Sequence, residues 1–307
     1  MAALALGHEN VLRAPSQFRQ AAFKFSSYVI LVTWSLICIF PIYWLAVTSI
    51  KGESDVDREG TFLPFLNFQP NLDAWRFILG DPAENLVTRF INSIVIGAAS
   101  TTLTILATCL AIYATTRFPR SIFQINPAAF LWVVLSTRLL PPVVIALPLY
   151  VMAQTTGLLD SRTSLIFIYS AINLPVAVWL LQTIFGVKPS EMEEAAVLDG
   201  ATHLTILFTI LLPTIKDSII ATAMLIFLLC WNEYLFASYL TFDHALTLPP
   251  WLVGQLSMKE AQTGGGPQEV AQLSAAAIFM AVPILLFSTF LIRQIGRTGA
   301  PRQNSTV

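Results

Sequence analysis

Six long stretches of this chain are almost free of charge, and that spacing constrains the fold more than any other feature. No Asp, Glu, Lys or Arg lies between Lys24 and Lys51, Arg89 and Arg117, Arg162 and Lys188, or Glu269 and Arg293. Two further stretches hold one charge each: Arg138 between Arg120 and Asp160, and Glu233 between Asp217 and Asp243. A helix needs about 20 apolar residues to cross a bilayer, and hydrocarbon admits only backbones that satisfy their own hydrogen bonds. The pattern therefore predicts an all-α polytopic membrane protein with six transmembrane helices. The Arg120–Asp160 stretch has room for more, but Pro141-Pro142 and the polar Gln154-Thr155-Thr156 favour one span with irregular ends. Charged residues make up 11% of the chain, against about 25% in soluble domains.

Lys and Arg set the orientation. With the N-terminus inside, the cytoplasmic segments hold Arg13, Arg19, Lys24, Arg117, Arg120, Lys188, Lys216, Arg293, Arg297 and Arg302. The outer segments hold Lys51, Arg58, Arg76, Arg89, Arg162 and Lys259. The excess on the first side places both termini in the cytoplasm. Residues 1–25 then form a tail, 26–50 the first span, 51–88 the longest outer loop, 89–295 a core of five more spans, and 296–307 a second tail. The apolar run Tyr28 to Ile50 exceeds a signal-peptide core, and Ala46-Val47-Thr48 is a poor cleavage site, so the first span is retained. In the outer loop, Pro64, Pro70 and Pro82 with Asn67 and Asn71 predict turns rather than long helices. Phe118-Pro119-Arg120 makes an inner turn, and Gly157-Leu158-Leu159-Asp160 an outer one. The last outer loop, about 243–270, has the glycine-rich tip Gly264-Gly265-Gly266-Pro267.

Between spans four and five lies a polar segment with helix punctuation. Ser190 and Glu193 are spaced for a reciprocal capping box, and Glu191, Glu193 and Glu194 sit near the positive end of the helix dipole. Gly200 is placed to end this short helix in the left-handed conformation. A second helix starts near Thr202, where Leu204, Leu207, Phe208 and Leu211 share one face. The pair makes a helical hairpin suited to docking a soluble partner; the plainer reading is an amphipathic linker on the membrane surface.

The spacing within this segment is specific. Glu194-Ala195-Ala196, three residues, Gly200, nine residues, then Ile210-x-Leu212-Pro213 resembles the EAA loop of ATP-binding-cassette importer permeases. Arg138-Leu139-Leu140-Pro141-Pro142, Ile145 to Tyr150, Trp231 to Ala237 and Thr247-Leu248-Pro249 are similar to signatures of the carbohydrate, maltose-type branch. The likeness covers roughly residues 85–295. It implies a permease subunit in a bacterial or archaeal cytoplasmic membrane, with a second permease, two ATPase subunits and an extracytoplasmic solute-binding protein as partners. It implies, too, that a sugar, glycoside or related polyol is moved by alternating access, and that the hairpin docks on the ATPase. Glu194, Ala195, Ala196, Asp199, Gly200, Ile210, Leu212 and Pro213 would carry that docking: the alanines by permitting close approach, Glu194 and Asp199 through charge-assisted hydrogen bonds. Gly264, Gly265, Gly266 and Pro267 would enter the binding protein's cleft; a loop tip without a role is the bland alternative. The tail Gly296 to Arg302 lacks the Gly-Leu-Thr-x-Gly-x-Val-Lys-Gly ending common in the family, so no tail contact with the ATPase is implied.

Arg138 and Glu233 are full charges within apolar stretches, where a charge costs several kcal/mol unless paired or hydrated. They are read as a translocation-path element, or as an interhelical pair, with Arg138 snorkelling to an interface as a third reading. Trp231 and Asn232 offer stacking and hydrogen bonding to a sugar, although an intramembrane Asn equally serves as interhelical glue. Asn92, Ser93 and Asn173 are open in the same way. No Gly-x-x-x-x-Gly-Lys-Ser/Thr loop is present, so ATP and Mg belong to the partner ATPase and no cofactor is expected on this chain. His8, His203 and His244 are scattered without metal spacing, Cys38, Cys109 and Cys230 form no disulfide framework, and the net charge of −1 argues against a nucleic-acid partner. The rival reading is an ion-coupled secondary transporter using Arg138 or Glu233; an intramembrane enzyme lacks a catalytic constellation.

Overall fold

Four helices are each long and apolar enough to cross a bilayer: Lys24–Thr48, Leu86–Arg117, Arg162–Gly186 and Gln268–Thr289. They belong to α1 (Gln17–Thr48), α4 (Ala83–Arg117), α7 (Arg162–Val187) and α14 (Pro267–Thr298) of a computed structural model. It describes residues 17–56, 58, 60–80, 83–117, 127–187, 190–263 and 266–298. The two expected spans with a charge are not straight rods. Ala129–Leu139 and Pro142–Thr155 meet at 87°, and His203–Thr214 meets Lys216–Trp231 at 83°. The chain is thus an all-α polytopic bundle with four membrane-crossing helices, or up to six if each bent pair counts as one.

Local chemistry explains the first break; the second falls at Ile215, at φ −105° and ψ 15°, just ahead of the expected Asp217–Asp243 span. Between α5 (Pro127–Ser136) and α6 (Pro142–Thr155), Pro141 at ψ 130° lies outside the helical region, and residues 137–139 tighten into a 3-10 turn. A residue before proline is driven from helical to extended backbone, and Leu140 and Pro141 both precede one. Separately from that bend, the expected Asp217–Asp243 span stops early. The helix α11 (Lys216–Trp231) has 16 residues, about 24 Å at 1.5 Å per residue, short of a bilayer core of about 30 Å. A break at 232–234 follows, and then α12 (Leu235–Leu240).

The bundle is built around α4 and α7, which pack together more extensively than any other pair. Small and hydroxylated residues make the contact. Ser100 Oγ donates to the Ile166 carbonyl at 3.3 Å, Thr104 Oγ1 to that of Ser170 at 3.3 Å, and Ser170 Oγ to that of Ser100 at 3.1 Å. Such residues let backbones approach where lipid supplies no hydrophobic drive between helices. Close to this seam on α4, a Cβ on Gly97 would lie 3.0 Å from the Phe227 ring of α11.

The 51–80 connection has turns, as its prolines and asparagines predict, but also two short helices, α2 (Glu53–Val56) and α3 (Asp73–Leu79). Ala74 and Ile78 of α3 join Leu86, Trp231, Leu248, Trp251, Leu252 and Ala275 in one buried cluster. The last outer loop departs from expectation. Most of it is a helix, α13 (Leu248–Thr263), whose Leu248, Trp251 and Leu252 are buried at helical spacing. Pro249 and Pro250 fall in its first turn, where no intrahelical N–H bond is lost. Of the proposed tip, Gly264 and Gly265 lie outside the described residues, as do Phe118-Pro119-Arg120, Pro82, residues 1–16 and the end of the tail from residue 299.

Candidate functional site

Three places bring chemistry-bearing residues together. The first is the hairpin after α7. Its first limb is α8 (Ser190–Leu198), ended by Gly200 at φ +83°. The Ala201 N–H donates to the Ala196 carbonyl at 2.9 Å and the Gly200 N–H to that of Val197 at 3.0 Å. That pair of bonds is the Schellman ending that a glycine permits. Glu194, Ala195, Val197, Leu198 and Asp199 are exposed, while Ala196 is buried. Glu193 does not serve the capping box. Arg117 at the end of α4 grips it bidentately, Nε and Nη2 to the two carboxylate oxygens at 2.6 and 2.7 Å. The Ser190 side chain lies outside the described residues.

The second limb begins where the Thr202 hydroxyl accepts from the Thr205 N–H. It runs through α9 (His203–Thr205), a π-helical segment Ile206–Leu211, and α10 (Leu212–Thr214). The wider winding shifts the apolar face. Ile206, Leu207, Leu211 and Ile215 are buried, whereas Leu204 and Phe208 are exposed, because the π turn closes i→i+5 bonds rather than i→i+4. Leu207, Leu211 and Ile215 pack with Cys109, Ile112, Tyr113, Val178, Leu181 and Phe185 of α4 and α7. Ile210 and Leu212 are half-buried and Pro213 is exposed.

The second place is the pair of broken spans. Arg138 lies in the 3-10 turn before α6, and Glu233 in the break after α11. They are not paired with each other: no ion pair joins them among the described residues. The Arg138 Nη2 donates to Asn173 Oδ1 at 3.0 Å. Asn173, itself buried, donates to the Tyr169 carbonyl at 2.9 Å and to Cys230 Sγ at 3.3 Å. Glu233 accepts the backbone N–H groups of Phe236 at 2.8 Å and Ala237 at 3.2 Å, capping α12. A cavity of about 330 Å³ lies beside Arg138, lined also by Thr137, Leu140, Ile145, Ala171, Ile172 and Phe236. Trp231 is turned away from such space. It is 1% exposed, packed on Phe90 and Phe227, with Nε1 donating to the Met280 carbonyl at 3.2 Å. Asn232 is exposed and donates to the Leu228 carbonyl at 2.9 Å.

The third place lies at the other end of α4. Arg89 and Arg117 are separated by 28 residues of one helix, about 42 Å at 1.5 Å per residue. There the turn between α12 and α13 is held from two sides. Asp160, from the α6–α7 connection, accepts N–H groups of Phe242, Asp243, His244 and Ala245 at 2.9 to 3.3 Å. Burial pushes its carboxyl up, but these four donors prevail and hold it below the usual range. From α4, Arg89 donates to the Asp243 carbonyl and pairs with its carboxylate at 2.6 Å. Asn92 donates to the carbonyls of His244 and Leu246, both at 2.9 Å, and Ser93 Oγ accepts the Leu248 N–H at 2.8 Å. Asn92 and Ser93 are therefore structural clamps. Sequence reasoning did not single out Asp160, Arg89, Tyr113 or the Arg117–Glu193 pair as contacts. The one local signal was that Asp160 closes a turn opened by Gly157. Among the described residues no group of three His, Cys, Asp or Glu is placed to hold a metal ion.

Comparison with known proteins gives this arrangement a context. A family model described as "Binding-protein-dependent transport system inner membrane component" matches residues 107–298. The trehalose/maltose transport system permease protein MalG of Thermococcus litoralis is 29% identical over 268 residues, spanning 85% of this chain and 91% of that protein. The diacetylchitobiose uptake system permease protein NgcG of Streptomyces coelicolor is 28% identical over 273 residues, spanning 88% and 85%. The sulfoquinovosyl glycerol transport system permease protein SmoH of Agrobacterium fabrum is 30% identical over 213 residues, spanning 69% and 72%. A chain from the crystal structure of a bacterial ABC transporter that imports the acidic polysaccharide alginate superposes with a TM-score of 0.69 at 19% identity, covering 90% of this chain and 97% of that one. At that identity the likeness concerns the fold.

Proposed function

Because this chain belongs to the family of binding-protein-dependent transport system inner-membrane components, we propose that it couples ATP hydrolysis by a docked partner to sugar passage through its hairpin. It is a permease subunit, a transport component rather than an enzyme, and family membership displaces the ion-coupled transporter reading. The coupling reading rests on one observation: a short limb ended by Gly200 at φ +83° presents Glu194, Ala195 and Asp199 to solvent on a base packed into α4 and α7.

In this reading the hairpin faces the cytoplasm and seats in an ATPase groove, with both termini on that side. A second permease completes the path, and residues 89–295 form the permease core. Closure of two ATPases around ATP and Mg drives the hairpins, and the spans exchange access between the two sides. The solute is a sugar, glycoside or related polyol, supported by the trehalose/maltose, diacetylchitobiose and sulfoquinovosyl glycerol permeases among the relatives. A solute-binding protein delivers it at the Asp160 end, and Gly264 to Pro267 are the residues that the family resemblance offers as its contact. Arg138 lines a cavity and would meet a hydroxylated solute there, while the burial of Trp231 argues against a stacking role for its ring.

Gly200→Asp tests the docking. A side chain at this φ is strained by about 1–2 kcal/mol, and the added charge sits at the bend. The variant is expected to insert in the membrane normally but to lose ATPase co-purification and uptake. Wild-type co-purification and uptake would remove the hairpin from the coupling path.

A further inference from the structure

We propose that Tyr113 and Arg117, one turn apart on α4, form a two-point grip that carries hairpin movement into the bundle. The inference rests on the coupling reading above and names residues outside the EAA-like pattern. The two positions are four apart and share a helix face. Arg117 holds Glu193 on the first limb through two bonds of 2.6 and 2.7 Å. Tyr113 Oη meets His203 Nδ1 on the second limb at 3.4 Å.

The two limbs need this grip unequally. The second limb is anchored by buried Leu207 and Leu211, with Ile215 just beyond it. The first limb has little apolar anchorage: Met192, Val197 and Leu198 are exposed, and Ala196 is its one buried apolar side chain among the described residues. A cavity of about 720 Å³ lies among α8, the end of α4 and the start of the second limb. Packing ties the first limb to the π segment of the second limb more than to α4 itself. A push on α8 can travel along the chain to α7, through the Gly200 bend, across its contact with the π segment of the second limb, or through Arg117–Glu193. A single backbone bend at glycine is a soft connection, whereas a bidentate guanidinium–carboxylate pair is short, planar and directional. Two adjacent carboxylates thus divide the work: Glu194 faces outward and Glu193 faces its own bundle. Since α4 packs along α7 and reaches the Arg89 clamp, movement of its end reaches the opposite face of the molecule.

The test uses the assembled importer in liposomes, with the solute-binding protein isolated carrying its own solute as the probe. Three readouts are taken: ATPase co-purification, ATP hydrolysis, and its stimulation by the loaded binding protein. Arg117→Glu and Glu193→Arg are each expected to keep the ATPase bound while stimulation falls about fivefold or more, the low end of ordinary coupling between sites. The double reversal, Arg117→Glu with Glu193→Arg, is expected to restore at least half of it. Glu193→Gln, nearly isosteric, provides the same reading should a reversal fail to fold, and Tyr113→Phe is expected to have a smaller effect. Wild-type stimulation in the single variants, or a double reversal no better than either single in an assembled complex, would overturn the grip. Failure of the underlying reading has a different signature: Gly200→Asp would retain the ATPase.

Discussion

Arg138 and Glu233 share a solution to the cost of charge inside a membrane protein: each sits where a helix is interrupted. An interrupted helix frees backbone N–H and C=O groups that must find partners away from water. Glu233 meets that need directly, accepting from Phe236 and Ala237 at the start of α12, and Arg138 reaches Asn173 instead of a carboxylate. A charge swap, Arg138→Glu with Glu233→Arg, is therefore expected to lower uptake further than either single change, because the two side chains do not meet. Recovery of uptake in the swap would reinstate a direct pair. Asp160 gives a residue-scale test outside the spans. Its folded-state carboxyl is held below the unfolded value of about 3.9, so the unfolded chain takes up the proton more readily. Its stabilising contribution is then fully present above about pH 4 and is lost as pH falls through the folded value. Asp160→Asn should lower the thermal midpoint in nanodiscs at neutral pH and weaken the acid-side decline seen in wild type. An unchanged midpoint and acid limb would contradict this. The existence of both intramembrane charges was legible in the sequence, since each stands alone in an apolar stretch. Their partners were not, because partner choice depends on where the helix breaks, and hydropathy does not encode that.

At the scale of elements, continuous apolar helices were legible, whereas of the interruptions only the one at Pro141-Pro142 left a sequence signal, read as an irregular end rather than a break. The charge-free stretches at α1, α4, α7 and α14 match helices directly, since twenty apolar residues leave few other solutions. The stretch from Asp217 to Asp243 was equally apolar yet divides after Trp231, where Asn232 and Glu233 turn toward local backbone partners. Helix α13 escaped notice for the opposite reason. Pro249-Pro250 and the polar Gln255, Ser257, Lys259 and Glu260 suggest a loop, while Leu248, Trp251 and Leu252 anchor one narrow face. The second hairpin limb shows a subtler miss, because a π segment changes which residues of a correct helix are buried. Close approach between elements is testable at Gly97. Its missing Cβ leaves room for the Phe227 ring 3.0 Å away, so Gly97→Val forces α4 and α11 apart. Overpacking of this kind costs about 1–3 kcal/mol. The expected outcome is a reduced thermal midpoint, with partial recovery when Phe227→Leu is added. A Gly97→Val protein as stable as wild type would mean that the α4–α11 contact yields without strain.

Across the whole molecule, α4 links the two ends that the functional reading needs. One end meets the hairpin through Arg117, and the other holds the α12–α13 turn through Arg89, Asn92 and Ser93. At the first end the sequence showed two short helices turning at Gly200 but not the Arg117 contact that holds the first of them to α4. The second end left little trace, since a clamp between residues about 150 apart in sequence is set by the bent spans that bring them together. Arg89 is the buried member of its ion pair: its side chain is 8% exposed, against 71% for that of Asp243. Arg89→Gln should therefore leave the Asp243 carboxylate hydrated rather than stranded, limiting the loss to the order of 1–3 kcal/mol expected for hydrogen bonds to a charged group. In nanodiscs that loss should appear as a midpoint lowered by about 1.5–5 °C, at about 2.1 cal/mol/K per residue for a chain of 307 residues. Adding Asn92→Ala should lower it by more than the two separate effects combined, because both side chains hold one turn. ATPase co-purification should be unaffected, as the hairpin lies at the far end of α4. Additive effects would show that the two side chains act independently, and loss of the ATPase would show that the clamp governs the fold of the whole bundle rather than one end of it.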